Sequence, residues 1–220
     1  MIPPPATKDL RVYILVPGVK TRSSDYMNWA VRMASCINID HDRAKGDEFR
    51  YNTSAILHRF GMRERVKFVV ELARRYWRAG YEPIFVAHSD GCEIVRRAIL
   101  EGPSIFLSAH LIAGACSADF ERNGLNRALI GGKVGQIYCY VSKGDRMLSV
   151  LARVSKSLFG WLGFGFGTLG YDGPQNVPKA MQGRDVKVIA RDNLRHGDWF
   201  KGANWKKTFD SVTQIEPPKI

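Results

Sequence analysis

The sequence predicts an α/β fold, a three-layer α/β/α sandwich around a mostly parallel central sheet. Three observations carry this. Short apolar runs rich in β-branched residues recur along the chain, segments with helical spacing separate them, and the first run ends at a Pro-Gly pair. Residues 12–16, Val-Tyr-Ile-Leu-Val, form the first such run and end at Pro17-Gly18. Residues 25–35 read as a helix with Tyr26, Trp29, Ala30 and Met33 on one face. A short strand is expected at 36–39 and a polar loop over 41–51. Residues 62–78 repeat the helical pattern through Val66, Val69, Val70, Ala73 and Trp77, with Gly80 at the C-terminal cap. Residues 83–87 are the next buried strand, and 92–100 the helix after it. Further strands are expected at 110–114, 136–141 and 186–190. Continuous apolar strands alternating with helices imply a parallel sheet covered on both faces.

At 220 residues the chain suits one domain, with 1–10 as an N-terminal extension, 155–183 as a lid or loop insertion and 210–220 as a C-terminal tail. Hydrophobic residues make up 45% and charged residues 25%, a balance that argues against disorder over most of the chain. The formal net charge of +12 attracts anionic partners, although a solvated basic surface explains it equally. Cys36, Cys92, Cys116 and Cys139 form no CxxC pair, and no His joins them at metal-ligand spacing. No metal and no cofactor is expected, and the thiols are read as reduced. The N-terminal residues lack the charged start and apolar stretch of a signal peptide, and no run is long enough to span a bilayer, so a cytoplasmic location is expected.

Ligands of open parallel sheets bind beyond the carboxyl ends of the strands. Those ends carry Pro17-Gly18-Val19-Lys20, then His88-Ser89-Asp90-Gly91, then Ser142-Lys143-Gly144-Asp145, and last Arg195-His196-Gly197-Asp198 a few residues past 186–190. One Ser, one Asp and one His therefore follow successive strands in that order. A hydroxyl is a weak nucleophile until a base takes its proton, and an imidazole held by a carboxylate is such a base.

In this order, and in the strand–turn–helix context of Ala87-His88-Ser89-Asp90-Gly91, the chain resembles the α/β-hydrolases over roughly residues 11–200. The resemblance implies the α/β-hydrolase fold and hydrolysis of a carboxylic ester, thioester or lipid ester. Ser89 would be the nucleophile, His196 the general base and acid, and Asp145 the residue that orients it. It also implies oxyanion donors at the backbone N–H groups of Asp90 and Val19, on the loop of Gly18. The chain departs from the pattern at Ala87, where Gly is usual, and at Pro17, where His is common.

Taken singly, each residue has a plainer role. Ser89 can cap the helix after it, Asp145 the helix starting near Met147, and His196 can be a surface histidine. Asp119 is the alternative acid. The expected partner is a small-molecule or lipid ester; no nucleic acid is expected, and peripheral contact with an anionic membrane fits the charge. The alternatives are a non-catalytic binding protein of the same fold, or a binder of nucleic acid or anionic membrane. The latter would use Arg59, Arg63, Arg65, Lys67, Arg74, Arg75 and Arg78, which do not share one face and accompany no nucleic-acid motif. The glycine- and aromatic-rich residues 158–170 read as a flap, an apolar surface loop or a membrane-touching patch, with a packed structural loop as the plainer reading.

Overall fold

A computed structural model describes residues 10–18, 28–40, 43–49, 61–150 and 167–214. Six strands pair in one parallel sheet: β1 (Arg11–Val16), β2 (Ala44–Glu48), β3 (Glu82–His88), β4 (Phe106–Ile112), β5 (Val134–Val141) and β6 (Val186–Ala190). Their order is β2-β1-β3-β4-β5-β6. The order reverses between β1 and β3, and ligands of open parallel sheets bind beyond the carboxyl ends of the strands at such a reversal.

Strand alternation sorts the side chains into two cores. On one face Val12, Ile14, Val16, Phe85 and Ala87 pack with α2 (Met62–Arg78), α3 (Gly91–Glu101) and α4 (Leu125–Ile130). On the other, Tyr13, Leu15, Ile84, Val86, Tyr138 and Tyr140 pack with α1 (Asn28–Asp40) and α6 (Gly202–Thr213), through Trp29, Met33, Trp205 and Val212. A short helix, α5 (Leu169–Asp172), lies between β5 and β6 in sequence. The three-layer sandwich is the arrangement the alternation of runs requires.

Three local readings change. Residues 36–39 belong to α1 and are not a strand: Ile37 is fully buried on its inner face. The edge strand falls instead inside the expected polar loop. Ala-Lys-Gly-Asp-Glu has no apolar run, but it pairs in register with all of residues 11–15, and charge suits an exposed sheet edge. Gly46 is needed there, since a Cβ would lie 2.5 Å from Ala34 Cα on α1. The strand expected at 110–114 runs from Phe106 to Ile112, because Ala113 turns to a positive φ of 45°. Helix α6 extends to Thr213, and Lys201 precedes it. No helix among the described residues is long and apolar enough to cross a membrane.

Candidate active site

The carboxyl ends of β1, β3, β5 and β6 bring the candidate residues to one edge of the sheet. Ser89 follows β3 directly, with φ +56°, a left-handed conformation uncommon for a residue with a side chain. Backbone bonds hold it there. Ser89 N–H donates to the Ile112 carbonyl (3.0 Å), and its own carbonyl accepts from Cys92 N–H (3.1 Å) and Ala115 N–H (3.0 Å). Turning so sharply carries α3 close beneath β1. A Cβ on Gly91 would lie 2.3 Å from the Val16 carbonyl oxygen, so only glycine fits. Ser89 is therefore not the N-cap: Asp90 occupies that position, fully buried.

Gly18 lies against the same turn. A Cβ there would sit 2.7 Å from Ser89 Cβ and 3.2 Å from Ser89 Oγ. The backbone beyond β1 thus approaches the hydroxyl at a distance that a side chain would obstruct. Val19, expected to supply an N–H, lies outside the described residues.

Asp145 and His196 meet. His196 Nδ1–H donates to Asp145 Oδ2 at 2.7 Å, with the carboxylate fully buried and the imidazole 6% exposed. Asp145 Oδ1 also accepts from Leu148 N–H (3.2 Å), so the same carboxylate caps the helical turns that begin at residue 146. The acid turn and the histidine loop are fastened by backbone contact. A Cβ on Gly144 would lie 2.6 Å from the Asn193 carbonyl carbon, and Ser142 Oγ–H donates to the Leu194 carbonyl (2.8 Å). Asn193 holds a positive φ of 65° at this point. With Nδ1 committed to Asp145, the lone pair of the neutral ring is on Nε2. That atom is buried and has no hydrogen-bond partner among the described residues.

Asp119 does not reach the imidazole. Its carboxylate accepts from Arg122 and Glu121 N–H (3.0 and 3.1 Å) in a turn, and these bonds, Arg122's foremost, hold its pKa below the usual carboxylate value.

Sequence reading turns one neighbour away from Ser89 and gives it no part in the site. His88 precedes Ser89 and points to the opposite side of the strand. Its Nε2–H donates to the His196 carbonyl (3.0 Å), and the two rings lie 4.8 Å apart. Phe200 stacks on Trp29 at 4.3 Å and meets His88 edge-on. Burial, assisted by His196, pushes the His88 pKa down to about 3, so a second cation is kept away from His196. Period-2 alternation next to Ser89 was the available signal, but it gives a direction and no partner.

Of the glycine- and aromatic-rich segment only residues 167–170 are described, and these are packed. Gly167 and Gly170 N–H donate to the Ala115 and Gly114 carbonyls (2.8 and 2.9 Å), and a Cβ on Gly170 would meet Ala113 backbone at 2.4 Å. Residues 158–166 lie outside the described residues. No group of three or more His, Cys, Asp and Glu able to hold a metal exists among the described residues.

No protein-family profile matches the chain, and no curated protein matches it in sequence. Solved structures do match. The predicted CIB-like hydrolase of Thermoplasma acidophilum aligns with a TM-score of 0.54 at 13% identity, covering 94% of this chain and 88% of that one. The esterase domain of a Rhodothermus marinus protein gives 0.53 at 10% identity, over 96% and 87%. The dienelactone hydrolase of Anabaena variabilis gives 0.51 at 11% identity, over 94% and 86%. The parallel sheet and these likenesses together define the class: the chain has the α/β-hydrolase fold.

Proposed function

We propose that the protein is a serine hydrolase that cleaves a carboxylic ester, thioester or lipid ester by acyl transfer through Ser89. The observation that carries this is the Asp145–His196 bond of 2.7 Å at the carboxyl end of the sheet, the end that also carries Ser89 on its strained turn; His196 Nε2 is buried and has no hydrogen-bond partner among the described residues. The hydrolase and esterase names of the structural neighbours fit it.

In this mechanism His196 Nε2 takes the Ser89 hydroxyl proton as Oγ bonds to the substrate carbonyl carbon. The carbonyl oxygen gains the charge. Asp90 N–H at the start of α3, and Val19 N–H beyond Gly18, donate to it, with the helix dipole adding its positive end. The tetrahedral species collapses, the bond to the leaving oxygen breaks, and His196 returns the proton to that oxygen. Water then attacks the acyl carbon as His196 takes its proton, and the Oγ–carbon bond breaks as His196 returns that proton to Oγ, which releases the acid and restores the Ser89 hydroxyl. Asp145 keeps Nδ1 protonated and stabilises the imidazolium without taking the proton. General base catalysis of this kind is worth about 100- to 10,000-fold.

Hydrolysis of short p-nitrophenyl esters by the full chain tests the reading. Activity that falls at least about a thousandfold in Ser89→Ala supports it. Absent hydrolysis by the folded wild type, or equal rates in both, rejects it in favour of a binding protein.

A further inference from the structure

A cleft of about 580 Å³ opens beside the imidazole, lined by Gly144, Arg146, Met147, Asn193, Arg195 and His196. It adjoins the base, and Ser89 is not in its described lining. This position has a chemical meaning once the proposed acyl transfer is accepted, on which the inference rests. The histidine hands its proton to the leaving oxygen, so the alcohol half of an ester must lie against the imidazole while the acyl half extends elsewhere. The cleft is on the alcohol side.

Its described lining includes two arginines and no acidic residue. Both arginines are exposed, and neither is ion-paired among the described residues. Asp192, beside Asn193, is exposed and outside the described lining, and the other nearby acids are engaged. Asp145 is buried beneath His196, and Asp172 faces Lys143 at 4.0 Å. Asp198 accepts from Arg195 backbone N–H and faces Lys201 at 4.0 Å. Arginine forks suit planar carboxylates and phosphates in particular.

We infer that Arg146 and Arg195 select esters whose alcohol portion carries an anionic group, a carboxylate or a phosphate. The acyl portion makes no use of them.

The test compares kcat/KM for phenyl acetate, 4-carboxyphenyl acetate and the acetate ester of 4-hydroxyphenyl phosphate, in wild type and in Arg146→Gln/Arg195→Gln, without detergent. Monophenyl succinate, with its carboxylate on the acyl side, is the control. Taking each anionic-to-neutral ratio and comparing it between the two proteins cancels intrinsic leaving-group reactivity. For the alcohol-side anions the ratio should fall about tenfold in the double variant at low salt, and the wild-type ratio should shrink as salt screens the charges. The succinate ratio should not move. Fluorophosphonate labelling of Ser89 in both proteins separates the two levels of the argument. Labelling with an unchanged alcohol-side ratio, an equal effect on succinate, or a preference seen only for vesicle-borne esters overturns the arginine assignment alone. No labelling and no hydrolysis by the folded wild type overturns the hydrolase reading and this one with it.

Discussion

Replacing Ser89 by glycine should make the protein more stable than replacing it by alanine, although both changes abolish the proposed nucleophile. Ser89 sits at φ +56°. A side chain in that region costs about 1–2 kcal/mol against its usual conformations, and glycine escapes the cost. Glycine also loosens the unfolded chain, which takes back about 0.4–1 kcal/mol. Ser89 Oγ makes no hydrogen bond among the described residues, so the hydroxyl contributes little to either comparison. The balance is about 0.5–1 kcal/mol in favour of Ser89→Gly over Ser89→Ala. For a chain of this size that is a Tm difference of about 1–4 °C. Calorimetry or fluorescence-monitored melting of the two variants in one buffer reads it. A glycine substitution at an ordinary buried position moves Tm the other way, so the sign is diagnostic. If Ser89→Gly melts at or below Ser89→Ala, the turn stores no strain and the argument for a shaped nucleophile position fails.

Other expectations follow from the same contacts. Gly91→Ala drives a Cβ into the Val16 carbonyl, which is backbone and cannot yield, so stability should drop by about 3 kcal/mol in urea unfolding. His88→Leu strips the His196 carbonyl of its donor; labelling by a fluorophosphonate should slow about tenfold, and His88→Gln, whose amide can donate, should recover part of it. A pH effect on stability comes from two buried histidines. Burial pushes His88 and His110 down to about 3, while their unfolded-state values stay near the ordinary one. The unfolded chain therefore binds more protons between roughly pH 6.5 and 3. Stability from these residues is present above that window and is lost as pH falls into it, by up to about 1.4 kcal/mol per pH unit for each histidine. Urea midpoints between pH 7 and 5 should fall accordingly, and less steeply in His88→Gln.

The strands that position the site were legible because their two buried faces leave unbroken apolar runs, as at 12–16 and 83–87. β2 was not, since an edge strand of Ala-Lys-Gly-Asp-Glu is defined by its pairing with β1 and not by its own composition. Cys36 to Ile39 misled because four residues of mixed polarity fit either period, and only the packing of Ile37 against the sheet decides for helix. The pairing of Asp145 with His196 was expected from their order along the chain. The means of fastening was not. Gly144 against Asn193 backbone and His88 to the His196 carbonyl are contacts between residues far apart in sequence, and no local pattern encodes them. Asp145 also shows why weighing single roles misleads: it caps a helix and holds the imidazole with different oxygens.

The measurement closest to the central claim is mass-spectrometric mapping of a fluorophosphonate adduct on the folded full chain. The account predicts one phosphonylated residue, Ser89, with labelling lost in Ser89→Ala and slowed at least about a hundredfold in His196→Ala. An adduct on another residue, or labelling of Ser89 at the same rate without His196, would contradict it.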